Sequence, residues 1–216
     1  MMLTTNRYSP PPPEQLETVF VDDTLVVANK PSGLLSVPGL GPEKAVCANS
    51  LLSQRHGPVL TVHRLDMDTS GLIIFARSKA AQRALSRQFE LRQVGKSYEA
   101  LVEGQVKNDA GTIDAAIARY SRQRPLRHLD PEGQTAITHW AVIDRRTDTT
   151  RLQLSPETGR SHQLRLHLAS VGHPILGDVF YGDPSLFERL CLHAKRLNFQ
   201  HPGSLEKLQF ERPAPF

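Results

Sequence analysis

The sequence lacks the features that mark several large classes of protein. Its 216 residues contain only Cys47 and Cys191, too few for a disulfide scaffold, and this usage suits a reducing compartment. The longest uninterrupted apolar run, Leu72 to Ala76, is far shorter than the roughly 20 residues that a membrane-spanning helix needs. No apolar block follows the N-terminus, so we expect no signal peptide and a cytoplasmic protein.

Common nucleotide-binding and hydrolase motifs are also missing. The chain has no GxGxxG, no GxxxxGK[ST] and no GxSxG, which leaves nucleotide-dependent redox, P-loop and serine-hydrolase chemistry without support. A zinc site is disfavoured because His162 and His167 would point about 140° apart on a helix. We therefore expect neither a metal ion nor a bound cofactor.

The charge of the chain is mildly positive and unevenly placed. Twenty-six Lys and Arg against 22 Asp and Glu give a formal net charge of +4. Basic residues cluster in residues 77–96, which include Arg83 and Arg87, and again in residues 119–127, where no acidic residue occurs. Such runs usually form a solvated face, but they also suit a polyanion such as RNA.

Hydrophobic periodicity predicts a mixed fold. Short β-type runs recur from Phe20 onward, several of them alternating apolar and polar residues. Lys79 to Val94 and Ser161 to Val171 carry helical stripes. We predict one α+β domain over residues 20–216, with a large mixed, mainly antiparallel sheet, preceded by an extended proline-rich tail over residues 1–19.

A polar cluster directly precedes the most apolar run of the chain. Residues 63–71 read HRLDMDTSG and lead into Leu72. Polar side chains at the mouth of a buried strand are held by a rigid scaffold, which suits a functional site, although a capped surface loop is the simpler interpretation. On composition alone, Asp66 and Asp68 are both candidates for a catalytic acid.

The HRLDMDTSG run resembles the catalytic motif HRLDxxTSG of the RluA-type RNA pseudouridine synthases. Further segments match that family in the same order along the chain: NKPSGL at 29–34, KSY at 96–98, TGRSHQLR at 158–165, GHPILGD at 172–178 and LHA at 192–194. The resemblance spans about residues 20 to 213 and implies the pseudouridine synthase fold. Met67 and residues 35–39 look most like the branch named after RluA, which implies 23S ribosomal RNA and transfer RNA anticodon stem-loops as substrates.

The resemblance implies an isomerase that detaches uracil from ribose, turns the base and rejoins it through carbon 5. Nothing is supplied from outside, so no cofactor is implied, and the target uridine must be flipped out of its stack. Asp66 would be the catalytic carboxylate, acting either as nucleophile or as base. Arg160 would pair with Asp66 and keep it ionised. Tyr98 would stack on the uracil and handle the proton of carbon 5, although core packing is the commoner role of a strand tyrosine.

The remaining implied roles concern RNA binding. We also expect a monomer that needs no metal ion. Arg64 would fill the place of the flipped base, with a phosphate contact or a structural ion pair as alternatives. Leu192 would form an apolar wall or pack in the core. We expect further RNA contacts from His63, Lys96, Arg83 and Arg87. Other functions left open are action on only one of the two RNAs, a nucleoside or sugar hydrolase, and a non-catalytic RNA-binding module.

Overall fold

A ten-stranded sheet organises the computed structural model, which describes residues 8–121 and 126–216. The strands are β1 Glu17–Val21, β2 Leu25–Lys30, β3 Leu60–Thr61, β4 Ser70–Ala76, β5 Gly95–Glu103, β6 Ala110–Asp114, β7 Ile117–Arg119, β8 Arg127–Leu129, β9 Ile137–Arg145, β10 Thr149–Pro156, β11 Leu192–Gln200 and β12 Lys207–Glu211. The α-helices are α1 Ala48–His56, α2 Lys79–Glu90 and α3 Gln163–Ser170. The sheet order is β1-β2-β4-β11-β5-β10-β9-β6, with β3 added to β4 and β12 added to β11, while β7 and β8 form a separate hairpin. The predicted α+β class is confirmed.

Among the strand pairs of the described sheets, one is parallel and the others are antiparallel. The parallel pair joins two motifs that lie far apart in the sequence. β4 and β11 run in parallel, with Ser70 opposite His193 and Gly71 opposite Ala194. Gly71 has φ +113°, and a Cβ built on it would lie 2.4 Å from the carbonyl oxygen of Ala194. Only glycine fits there. The end of the HRLDMDTSG segment is therefore fixed against the start of β11.

The apolar run of β4 is buried because the sheet is covered on both faces. Ile73 and Phe75 belong to the same buried cluster as Leu52 of α1. Leu72 and Ile74 belong to another cluster, with Leu85 of α2. A strand covered on both faces needs apolar side chains at consecutive positions, which explains the uninterrupted run.

The packed structure begins before residue 20, the predicted start of the domain. Phe20 lies inside β1, and Leu16 is buried in the core. Arg55 of α1 donates hydrogen bonds to the carbonyls of Pro13 and Leu16. The hydroxyl of Tyr8 donates to the carbonyl of Val46 over 2.9 Å. The segment includes a short 3-10 helix, Pro13–Gln15, and its carbonyls are bound by neighbouring side chains, so residues 8–19 are part of the folded unit.

Both predicted helices are shorter than their sequence patterns. α2 ends at Glu90 rather than Val94, and Arg92 just beyond it has φ +57°. α3 begins at Gln163 rather than Ser161, because its N-cap residue His162 is left-handed with φ +57°. None of the helices in the described part of the chain is long and apolar enough to cross a membrane.

Candidate active site

An open cleft with about 500 Å³ of empty space brings the sequence motifs together. It lies between the loop that precedes β4, the start of β5, the loop that precedes α3, and the start of β11. The residues predicted from the sequence that line it are Arg64, Asp66, Lys96, Tyr98, Arg160 and Leu192. Segments separated by up to 128 positions, from Arg64 to Leu192, thus share one site.

The cleft distinguishes the two candidate acids. Asp66 lines it with a side chain that is 28% exposed, while Asp68 is not among the lining residues. Burial raises the pKa of Asp68, and the positive charges of Arg165 and Lys30 only partly oppose that effect. Asp66 is therefore the carboxylate that a ligand in the cleft can reach.

The ion pair expected between Asp66 and Arg160 is not formed, and this expectation is corrected. Arg165 takes that place, with its Nη1 3.6 Å from Oδ2 of Asp66. Arg160 is exposed and donates from Nε to the carbonyl of Thr135 over 3.1 Å, although it still lines the cleft. Both arginines belong to the TGRSHQLR segment. Because α3 begins after Arg160, only Arg165 is carried into the interior by the helix.

Arg165 is fixed by a second carboxylate. Its side chain is only 2% exposed, and it donates from Nε and Nη2 to the two oxygens of Asp178, over 2.7 and 2.6 Å. Burial alone would raise the pKa of Asp178, but the hydrogen bonds and charge of Arg165 outweigh burial and hold that pKa below its usual value. Such a two-pronged pair fixes the guanidinium plane, so Arg165 presents its remaining edge to Asp66.

The loop that carries Asp66 is supported from beneath by the NKPSGL segment and the serine that follows it, a role that sequence reasoning missed. Nζ of Lys30, which is fully buried, donates to the carbonyls of Pro31, Leu34 and Met67 over 3.0, 2.7 and 2.8 Å. Burial lowers the pKa of Lys30 to about 7. Two serine hydroxyls add further bonds to the loop, Ser32 to the carbonyl of Asp68 and Ser36 to the backbone of Leu65. The signal available from sequence was only the NKPSGL motif itself, which does not reveal the backbone acceptors.

Two predicted residues form the apolar wall of the cleft. Tyr98 on β5 stands opposite Ala194 on β11 and packs against core clusters on both sides. Burial, with a smaller effect of the Asp66 charge, raises the pKa of Tyr98, so its hydroxyl stays protonated at neutral pH. Leu192 is buried and also lines the cleft. Core packing and a cleft position are therefore compatible for both side chains.

His63 has a role within the fold, and the RNA contact expected for it stays a prediction. Its Nε2 accepts a hydrogen bond from the backbone N–H of Ile74 over 3.1 Å. Its ring stacks on Phe89 of α2 with the centroids 4.5 Å apart. Burial, with a smaller effect of the Lys96 charge, lowers the pKa of His63 to about 3, so the ring is neutral. His63 thus joins the loop that carries Asp66 to β4 and α2.

The predicted basic residues lie in and around the cleft. Arg64 is exposed at the cleft, and burial lowers the pKa of Lys96 in its wall. Arg83 and Arg87 are exposed on α2, outside the cleft. Of the second basic cluster, residues 122–125 lie outside the described part of the chain. Among the described residues, no group of three or more His, Cys, Asp or Glu is placed to hold a metal ion.

Comparison with known proteins gives the same family as the motifs. A model of the RNA pseudouridylate synthase family matches residues 24–170. The dual-specificity RNA pseudouridine synthase RluA of Pasteurella multocida is 48% identical over 214 residues, covering 97% of this chain and 98% of that protein. The protein of the same name from Escherichia coli K12 is 42% identical over 215 residues, with the same coverage.

Solved structures agree with the sequence comparisons. Human RNA pseudouridylate synthase domain containing 1 is 30% identical, superimposes with a TM-score of 0.79, and covers 96% of this chain and 87% of its own. Human RNA pseudouridylate synthase domain containing 4 is 27% identical, with a TM-score of 0.73 and coverage of 92% and 88%.

The chain belongs to the RNA pseudouridylate synthase family, and its similarity to the RluA proteins confirms the predicted branch. It is an isomerase that converts uridine to pseudouridine in RNA.

Proposed function

We propose that this enzyme modifies uridines in both 23S ribosomal RNA and the anticodon stem-loop of transfer RNA, with Asp66 as the catalytic carboxylate. Support for two classes of RNA comes from the relatives, whose names describe dual specificity. Support for Asp66 comes from one observation: it is the carboxylate that lines the cleft and has a fixed arginine 3.6 Å away.

Asp66 acts on the sugar of a uridine that has left its stack. The cleft lies within the protein surface, so a stacked base cannot reach it, and flipping costs a few kcal/mol. Arg165 stabilises the charged form of the carboxylate while the bound base excludes water. Asp66 then either attacks the anomeric carbon or removes a proton from the sugar.

Tyr98 and Leu192 hold the uracil on its apolar faces. The raised pKa of Tyr98 means that no phenolate is present at neutral pH to act as a ready base. Its hydroxyl can instead relay the proton of carbon 5, accepting that proton on its oxygen while donating its own proton to the solvent in the open cleft. Arg64 lies at the exposed edge of the cleft and fills the place that the flipped base leaves. Arg160 and Lys96 contact the neighbouring phosphates.

All the residues proposed for this chemistry belong to one chain, which supports a monomer as the active form. None of the proposed roles requires a metal ion. We further propose that the enzyme works in the cytoplasm, where both RNA classes are found.

The test uses unmodified 23S fragments and transfer RNA transcripts, with pseudouridine mapped at single-nucleotide resolution. We expect the wild type to convert uridines in both. Asp66→Asn should abolish conversion while RNA affinity stays within a few-fold, and the matched variant Asp68→Asn should stay active, because Asp68 does not line the cleft. Conversion of only one RNA class would contradict the proposed dual specificity. Turnover by Asp66→Asn would contradict the assignment of Asp66 as the catalytic carboxylate.

A further inference from the structure

We propose that Phe180 and His162 form a stacking platform at the mouth of the cleft, which holds a nucleobase next to the target uridine. The proposal rests on the RNA substrate of the proposed function and adds a binding site that chemistry at Asp66 does not require.

The starting observation is an exposed aromatic ring beside the cleft. Phe180 is 40% exposed, and the neighbouring Val179 is 56% exposed. Large apolar side chains exposed together beside a functional cleft indicate a binding surface. The inner side of the Phe180 ring is already occupied, because the buried guanidinium of Arg165 lies 5.1 Å from its centre. The exposed 40% of the Phe180 side chain is the part that a ligand can reach.

His162 connects this ring to the cleft. It lines the cleft, and its imidazole is nearly parallel to the Phe180 ring, with 16° between the planes and 5.5 Å between the centroids. The left-handed backbone of His162 places the side chain there at the start of α3. The two rings form an offset, nearly parallel pair that leads from the cleft lining at His162 to the exposed Phe180.

The platform is held by the same carboxylate that orients Arg165. Oδ1 of Asp178 accepts the backbone N–H groups of Phe180 and Tyr181 over 2.9 and 3.1 Å, and also accepts Nη2 of Arg165 over 2.6 Å. Arg165 in turn pairs with Asp66. The distance between the platform and the catalytic carboxylate is therefore fixed before RNA binds, as a preorganised site requires.

Tyr181 continues the connection toward the basic β7–β8 hairpin. Its hydroxyl accepts the backbone N–H of Arg127 over 2.9 Å and forms a hydrogen bond with Nδ1 of His162 over 3.0 Å. An RNA strand that leaves the cleft across Phe180 would meet this hairpin next, where Arg119 is exposed. Aromatic platforms interleaved with positive charge are how proteins hold single-stranded RNA.

A nucleobase of the RNA is the occupant that fits both the exposed aromatic surface and the positive charge of the neighbouring hairpin. Every base has a flat face that stacks on an aromatic ring, and removing one such ring typically weakens binding by about tenfold. The platform would therefore select substrates whose base next to the target can unstack, rather than one particular base.

The experiment compares Phe180→Ala and Phe180→Trp with the wild type on a fluorescent stem-loop RNA. Phe187→Ala is the matched control, because Phe187 is 36% exposed on the same stretch and is not among the cleft residues. We expect Phe180→Ala to raise KM and Kd about tenfold, with the single-turnover rate at saturating RNA within about twofold of wild type. Phe180→Trp should bind at least as well as the wild type, and Phe187→Ala should not differ from it.

Abasic substrates separate base stacking from any other effect. RNAs that lack the base on the 5′ or the 3′ side of the target are measured with the same proteins. On one of the two abasic RNAs, we expect the difference in Kd between the wild type and Phe180→Ala to disappear. A full tenfold difference on both abasic RNAs, or no difference on the intact RNA, would overturn the platform. Because Kd is measured beside turnover, the platform is tested even on an RNA that is not converted, and failure of conversion counts only against the proposed function.

Discussion

Nη1 of Arg165 lies 3.6 Å from Oδ2 of Asp66, and the other edge of the same guanidinium is bound by Asp178. The arginine thus joins a carboxylate open to the cleft with one that is fully buried. A cation fixed in this way stabilises negative charge on Asp66 without having to reorganise when substrate binds.

We expect Arg165→Ala to lower the free energy of unfolding by about 3 to 5 kcal/mol, because it leaves the buried Asp178 without its partner. Arg165→Lys keeps the charge but not the two-pronged geometry, and should retain a folded protein with turnover reduced at least tenfold. Denaturant unfolding and single-turnover rates measure the two effects. Arg160→Ala is the control, with a few-fold loss of RNA affinity only. A greater loss of turnover in Arg160→Ala than in Arg165→Lys would reverse our assignment.

The choice between these two arginines shows where sequence reasoning ends. The TGRSHQLR segment contains both, and which of them faces Asp66 depends on the residue at which α3 begins. That start is set by the left-handed backbone of His162, a conformation that sequence patterns do not predict for histidine. By contrast, the buried strand β4 was predictable, because burial on both faces requires consecutive apolar residues.

The support of the loop that carries Asp66 illustrates a second limit of sequence reasoning. Lys30 was visible in the sequence only as part of a matching motif, since its partners include the carbonyl of Met67, far along the chain. Backbone acceptors carry no side-chain signature, so only the fold reveals them.

Lys30→Met should destabilise the protein by roughly 3 kcal/mol, because three carbonyls lose the buried ammonium group that donates to them. Turnover should fall as well, since the loop that carries Asp66 loses its main support. Chemical denaturation and initial rates give both quantities. Ser32→Ala, which removes a single bond to the same loop, should cost about 1 kcal/mol. Equal stability of the two variants would show that Lys30 does not support the loop.

His193 provides a test of pH dependence. Its Nδ1 is hydrogen-bonded to the hydroxyl of Ser70 over 2.9 Å, and its Nε2 to the carbonyl of Arg212 over 3.2 Å. The carbonyl of Arg212 can only accept, so Nε2 carries a proton, and in the neutral imidazole Nδ1 then accepts from the hydroxyl of Ser70. Burial lowers the pKa of His193 to about 4, from a usual value near 6.5.

Because the unfolded chain binds this proton more readily, stability should fall as the pH drops from about 6.5 toward 4, by a total on the order of 3 kcal/mol. His193→Asn should be less stable at pH 7 but should lose less on acidification over that interval. Urea unfolding at a series of pH values measures the slopes. An unchanged slope in His193→Asn would mean that protonation of His193 does not drive the acid sensitivity.

Arg83 and Arg87 are exposed and stand one turn apart on α2. The same helix is joined to the loop that carries Asp66 by the stacking of His63 on Phe89. If the two arginines contact phosphates, replacing both with alanine should weaken RNA binding at low salt and reduce the slope of log affinity against log salt by about one to two. Fluorescence anisotropy measures this slope between about 50 and 200 mM salt, the range over which phosphate contacts lose much of their affinity. Lys107→Ala removes an exposed charge outside both basic clusters and should leave the slope unchanged. A double variant with the slope of the wild type would exclude α2 from the RNA-binding surface and leave that role to the cleft and the β7–β8 hairpin.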